Sequence, residues 1–419
     1  MNLVRYVTAN PKTIHKSYHS ALVADGFPKE VQFGPTSRIV TSPKVVSNTM
    51  RYLPKSKLFY NKLSAPTKTS RFLGNGLLTA DASDAKCQRV LLEGQFRARA
   101  LSSFEKFMRD ETNAVVDEVK HNTVVDIGDL CKDITINIVG KTLLGNAFSQ
   151  ESQSVLIDDV DTLNRHVVAS LNPLYSSMHG FPFYNTFIES RTMRVRAVVE
   201  DALELHTKNG TPDSLISIIE ASSTSHEEAV DNILTFFLAG YDTTASAVAT
   251  LLHIVHLDTY ECILKRLHNE LACGETTYLD NVIKETLRLY PPSAGGFIRT
   301  YTNEYKEYFP SNWVGNTNII VPVYSMHRHP DHWDYPEMFL PERWGDISDS
   351  DVAGVYMPFS TGPRSCIGQR FAMLEMKTML QIILTKLRFC EISTQQNYEL
   401  NPVFHNTHRI TAIAEHRVL

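Results

Sequence analysis

Ten residues in the C-terminal part of this chain, Phe359-Ser-Thr-Gly362-Pro-Arg364-Ser-Cys366-Ile-Gly368, limit its fold more than any other stretch. They read as a glycine-rich turn that delivers a single cysteine to the first turn of a helix. The free N–H groups and positive end of such a helix stabilise a thiolate. Gly362 and Gly368 leave room for something flat and bulky to approach the backbone, and Arg364 adds a cation nearby. No second Cys or His stands at zinc spacing, so a lone thiolate in this loop suits an axial ligand to haem iron. The alternative is an ordinary buried cysteine ahead of a helix, which the complete F-x-x-G-x-R-x-C-x-G pattern disfavours.

The other cysteines, Cys87, Cys131, Cys262, Cys273 and Cys390, form no C-x-x-C pair. They fit small hydrophobes in a reducing compartment, not a disulfide scaffold or a zinc ribbon. The 21% of charged residues is ordinary for a globular protein, which excludes disorder, collagen and coiled coil for the whole chain. With 41 Lys and Arg against 46 Asp and Glu the net charge is −5, which gives no support for a nucleic-acid partner. No stretch reaches the ~18 apolar residues that span a bilayer. As written the chain reads as soluble or peripheral, or as a truncated form of something anchored.

A length of 419 residues is compatible with two or three domains. Yet no linker, repeat or low-complexity tract invites a cut, so residues 1–419 read as a single domain. The fold class is mainly α with small β-sheets. Helical signals run from Lys86 to Val119 and from Val124 to Leu144. The longest begins at Ser225, where Ser225 and Glu228 form an S-x-x-E capping box, and runs to about residue 256. Its apolar residues cover most faces, so it should be buried. A further helix spans about Tyr278 to Tyr290 and stops at Pro291-Pro292, and the last starts just after Cys366. Strand-like pieces are Arg38–Val40, Asn318–Val323 and the C-terminus.

Two segments add chemistry. Gly240, inside the longest helix, costs ~1 kcal/mol against Ala. It implies either close approach by another group or a local break. Asp242 and Thr243 beside it set an acid and an alcohol in an apolar stretch, a pair able to relay protons, or else a polar kink that merely bends the helix. Glu285 and Arg288 share one helix face at i, i+3, a spacing that most often gives a surface ion pair of little worth.

Together these segments resemble the cytochrome P450 family. The Cys366 loop matches that family's haem-binding signature at every defining position. Ala239-Gly240-Tyr241-Asp242-Thr243-Thr244 resembles its oxygen-activation motif, Glu285-Thr286-Leu287-Arg288 its E-x-x-R motif, and Pro341-Glu342-Arg343-Trp344 its P-E-R-F/W motif. The resemblance is strongest from about residue 225 to 375 and looser from about Gly34 to the end. It implies the P450 fold (α+β) and haem b, iron protoporphyrin IX, with Cys366 as the axial metal ligand. Phe359, Gly368, Ala239 and Gly240 then lie against the haem, and Arg89, Arg299 and Arg364 meet its carboxylates. Asp242 and Thr243 become the catalytic pair, and Glu285, Arg288 and Arg343 a buried structural network that holds the Cys366 loop. Phe236 to Ala239, Ser293 to Phe297 and Pro402 to His405 would line the substrate space.

The resemblance further implies a monooxygenase that inserts one oxygen atom from O2 into an apolar organic substrate. No flavin or nicotinamide fingerprint appears, so electrons must come from outside. NADPH-cytochrome P450 reductase is the implied donor and cytochrome b5 an accessory one. A monomer at the cytoplasmic face of the endoplasmic reticulum membrane is the implied setting. Pro341-Glu-Arg-Trp344 and His329-Pro-Asp-His-Trp333 resemble eukaryotic, fungal members. Rival readings are a P450 of nitric oxide reductase or peroxide isomerase type, or a catalytically impaired haem-binding protein. Two departures limit the resemblance: the family's usual N-terminal membrane helix and proline-rich hinge do not appear in this sequence, and the stretch from Thr244 to Glu285 is short. In addition, Ala85 occupies the Trp of the family's W-x-x-x-R helix, with Lys86 as a candidate substitute.

Overall fold

Long helices alternate with short strands in a computed structural model that describes residues 13–33, 37–56, 61, 71–96, 98–145, 148–169, 182–209, 215–348, 350–400, 404–406 and 408–417. Helix α1 (Ile14–Ala24) leads into strands β1 (Glu30–Phe33) and β2 (Ser37–Val40). Helix α2 (Pro43–Tyr52) opens on a proline, whose missing N–H costs nothing in a first turn. The expected Lys86–Val119 helix is two helices, α3 (Ala82–Leu92) and α4 (Ala98–Glu118). The 3₁₀ turn Glu93–Phe96, which contains Gly94, separates them.

The expected Val124–Leu144 helix likewise begins later. Thr123–Asp126 is strand β3, and Asp126 caps α5 (Ile127–Leu144) by accepting from the Gly128 and Asp129 N–H groups at 2.8 and 3.3 Å. Helices α6 (Gln150–Ala169), α7 (Pro182–Asn209) and α8 (Leu215–Ser222) follow.

The longest helix is α9 (His226–Val255). The Ser225 hydroxyl accepts from the Glu228 N–H at 3.2 Å, while the Glu228 carboxylate accepts from the Thr224 N–H at 2.8 Å. The return bond of the capping box therefore lands one residue earlier than the S-x-x-E reading places it. After α9 come α10 (Glu261–Ala272), α11 (Thr277–Leu289), β4 (Phe297–Tyr301), β5 (Thr317–Val321) and the short α12 (Val323–Met326). Helix α13 (Gln369–Lys386) and strands β6 (Leu387–Cys390), β7 (Tyr398–Leu400), β8 (Phe404–Asn406) and β9 (Thr411–His416) end the chain.

Contacts divide the chain into two compact units, neither continuous in sequence. The first comprises Met1–Ser56, Ala249–Cys366 and Ile392–Ile410. Its sheet has the order β1-β2-β5-β4, with β2 and β5 parallel and the other pairs antiparallel. Val40, Met50, Ile319, Val321 and Trp313 form the core beneath that sheet. A β7–β8 hairpin completes the unit.

The second unit comprises Lys57–Val248, Ile367–Glu391 and Thr411–Leu419. It is a helical assembly whose core runs from Phe72 through Val139, Leu156, Val195 and Ile233 to Phe237. Its sheet has the order β3-β9-β6. Among the described residues no single helix is long and apolar enough to cross a membrane.

Candidate functional site

In the first unit, α11 carries Glu285 and Arg288 on one face, and here the pair is not on the surface. Both side chains are fully buried. Arg288 donates from Nε and Nη2 to the two Glu285 oxygens, each at 2.9 Å. The Arg343 Nε (3.1 Å), the Trp344 indole N–H (3.0 Å) and the Leu340 N–H (2.8 Å) also donate to that carboxylate. The rest of the Arg288 guanidinium donates to the carbonyls of His327 (2.8 Å), Pro336 (2.7 Å) and Met338 (2.9 Å). A buried ion pair is tolerable only when its remaining polar atoms are satisfied in this way.

From that network a hydrogen-bonded path leads to Cys366. His327 bonds the Arg288 carbonyl through Nδ1 at 3.0 Å and accepts from the Met357 N–H through Nε2 at 2.9 Å. The Met357 carbonyl accepts from Ser360 N–H at 3.0 Å, and the Phe359 carbonyl from Cys366 N–H at 2.8 Å. Gly362 has φ +77°, and a Cβ there would lie 2.5 Å from the Met50 carbonyl oxygen. Its glycine is thus required by a left-handed backbone packed on α2. Cys366 itself is not in the first turn of α13. That helix begins at Gln369 with Gly368 as its N-cap, so the cysteine stands in the turn before it. Its side chain is exposed.

The donor set of this unit fits a haem. The Cys366 loop is held from behind by backbone bonds and presents an accessible sulfur. Arg299, on β4, is 1% exposed, and a buried guanidinium calls for an anion, which a haem carboxylate supplies. Arg364 is half-buried in the cysteine loop, and so is Phe359.

The second unit holds Arg89, Ala239, Gly240, Asp242, Thr243 and Gly368. Arg89 is half-buried on α3, while Ala85, at the position of the missing Trp, is 1% exposed and Lys86 is exposed. Helix α9 is unbroken at Gly240. A Cβ there would meet both Val139 methyls at 3.1 and 3.2 Å, so close approach of α5, not a break, accounts for the glycine. Thr243 donates its hydroxyl to the Ala239 carbonyl at 2.8 Å, one turn back. Asp242 is half-buried. Beside it Tyr241 donates to Asp161 at 2.8 Å, and the Lys132 ammonium lies 3.6 Å from the same carboxylate. Burial pushes Lys132 down, but Asp161, Asp242 and Asp129 outweigh it and hold the ammonium above its usual value.

One buried acid escaped the sequence reading. Glu375, on α13, is fully buried, and the Thr244 hydroxyl is the polar group that faces it. Burial raises its carboxyl from 4.5 to about 8, with the Thr244 hydroxyl pulling the other way. The signal was present: Glu375 lies four residues from Phe371 and from Met379, within the apolar stripe. The folded state therefore favours the neutral acid. Its stabilising effect is complete below pH 4.5 and is lost as pH rises through about 8, with a ceiling of about 5 kcal/mol. Glu375→Gln should raise the melting temperature little at pH 5 and clearly at pH 8.5. A difference that stays flat with pH would contradict the assignment.

Of the expected substrate-lining residues, Phe237 is core. It is 1% exposed and packs on Tyr241 and Phe148, with ring centroids at 5.3 and 6.4 Å. Phe236 is half-buried and stacks on Phe96 at 5.5 Å, and Leu238 is buried. In the 293–297 segment Ala294 is buried and its neighbours are half-buried. Pro402 and Val403 lie outside the described residues, and the side chains of Phe404 and His405 do as well.

Comparisons with known proteins bear on the family and the fold. The family model described as Cytochrome P450 matches residues 29–407. The chain is 25% identical to the probable cytochrome P450 4d21 of Drosophila melanogaster, over 89% of this chain and 82% of that one. It is also 25% identical to the cyclooctat-9-en-7-ol 5-monooxygenase of Streptomyces melanosporofaciens, over 88% and 84%. A shorter match, 36% identical over 40% of this chain and 35% of the other, is to cytochrome P450 3A29 of Sus scrofa. None of these three is fungal. The structure superposes on the haem domain of cytochrome P450DA with a TM-score of 0.81, covering 99% of this chain and 95% of that one at 16% identity.

Proposed function

Since this chain belongs to the cytochrome P450 family of haem-thiolate monooxygenases, we propose that it inserts one oxygen atom from O2 into an apolar organic substrate, drawing electrons from a separate NADPH-dependent reductase. The observation that carries this reading is the Cys366 loop, tied by hydrogen bonds to the fully buried Glu285–Arg288 pair and, through Glu285, to Arg343. A side chain that must stay fixed and accessible beneath a reactive centre needs such backing.

Haem, when bound, supplies the iron at which O2 is activated. The chain's own residues divide the remaining work. Cys366 would hold the iron as a thiolate and donate electron density to it. By family resemblance Arg299, Arg364 and Arg89 would meet the haem carboxylates, and Phe359, Gly368, Ala239 and Gly240 would lie against the ring. Thr243 and Asp242 would deliver protons from α9, with the Thr243 hydroxyl leaving its bond to the Ala239 carbonyl to do so. Phe236 and Leu238 support an apolar substrate. By the same reading the electron donor is NADPH-cytochrome P450 reductase, with cytochrome b5 as an accessory, at the cytoplasmic face of the endoplasmic reticulum membrane.

Asp242→Asn tests the relay. The variant should keep the haem spectrum of the parent. Product formation should fall by about 10²-fold or more, the usual size of one acid–base contribution, while reductase-driven NADPH oxidation continues. Undiminished product formation would remove Asp242 from the relay.

A further inference from the structure

We propose that His327 is the positioning residue that couples the Glu285–Arg288–Arg343 network to the Cys366 loop and so keeps the cysteine in its thiolate-ligating arrangement. The inference rests on the haem-thiolate reading above, and it concerns a residue outside the motifs that led to that reading.

The geometry is specific. His327 is fully buried and stands at the end of the short helix α12. Met357 N–H can only donate, so the Nε2 that meets it at 2.9 Å must be the acceptor. The ring proton then resides on Nδ1, which donates to the Arg288 carbonyl at 3.0 Å. One neutral tautomer satisfies both bonds, and a protonated ring would set N–H against N–H at Met357. Burial, together with the Arg288 and Arg328 guanidiniums, holds the imidazole neutral, at about 3.

The ring also receives support on its face, with Tyr356 at 5.2 Å between centroids. Tyr356 in turn donates to the Lys284 carbonyl on α11 at 3.1 Å. The two bonds of the imidazole thus join α11 to residue 357. Three residues on, Ser360 is in the left-handed region (φ 64°), and its N–H is held by Met357 O. The Phe359 carbonyl, fixed between them, accepts the Cys366 N–H. Loss of the Met357 anchor therefore loosens the turn that orients the cysteine. It does so without touching the cysteine or any of its direct partners.

Three substitutions in the haem-loaded protein test this. His327→Phe keeps the ring volume and removes both bonds. His327→Asn keeps a short donor toward Arg288, whereas His327→Gln reaches far enough to accept from Met357. The readouts are the reduced carbon-monoxide difference spectrum and peptide-resolved hydrogen exchange over residues 355–360.

The expected result is a conversion from the thiolate band to the neutral-thiol band at least tenfold faster in the Phe and Asn variants, with faster exchange at Met357. The Gln variant should stay within about twofold of the parent. Parental conversion rates in the Asn variant, or a Gln variant no better than Asn, would overturn the proposal while leaving the haem-thiolate reading intact. The Asn–Gln pair decides the matter even if the Phe variant does not fold. A parent protein with no thiolate band would overturn both.

Discussion

Cys366→Ala is expected to abolish the strongly red-shifted Soret band of the reduced, carbon-monoxide-bound protein. The fold should survive the change. The Cys366 side chain is exposed, and the bond that locks the loop comes from its backbone N–H to Phe359, which alanine retains. What disappears is the sulfur alone, and with it the one anionic ligand that gives this band its position. The measurement is the difference spectrum of purified parent and variant, with circular dichroism as the check on folding. A red-shifted band that persists in the alanine variant would mean that another residue ligates the iron.

Glu285→Gln should be the most damaging single substitution for stability. The carboxylate accepts five donors, from Arg288 twice and from Arg343, Trp344 and Leu340. Glutamine keeps the shape but removes the charge and turns one acceptor into a donor. The Arg288 guanidinium, fully buried, is then left without its counter-charge. Breaking a buried pair in this way costs about 3–5 kcal/mol, a large share of the roughly 5–15 kcal/mol that holds an ordinary domain folded. Thermal unfolding with haem content measured in parallel should show a sharply lowered midpoint and little retained haem. A midpoint within a degree or two of the parent would show that the network is dispensable.

What could be read ahead of the structure was local. The Cys366 turn, the Ser225 cap and the apolar run of α9 are signals within a few residues of one another, and each lies where the sequence placed it, give or take a turn. The misreadings involve distant partners. Val124 and Val125 look helical beside Ile127 but belong to a strand, because Ile413 and Ala412 pair with them from the far end of the chain. Phe237 looked like a wall for substrate until Phe148 packed on it. The hidden links behave alike. His327 meets partners 39 and 30 residues away, and Glu375 faces Thr244 from another helix. No periodicity reveals such meetings, since they depend on which surfaces the fold brings face to face.

Strand β9 occupies the middle of its sheet, with β3 on one side and β6 on the other. Its residues, Thr411–His416, are made after both of its neighbours. During synthesis the edges of β3 and β6 therefore wait, unpaired, until β9 has emerged. A chain that stopped before Thr411 would keep every motif of the active centre and hold a sheet that can never close.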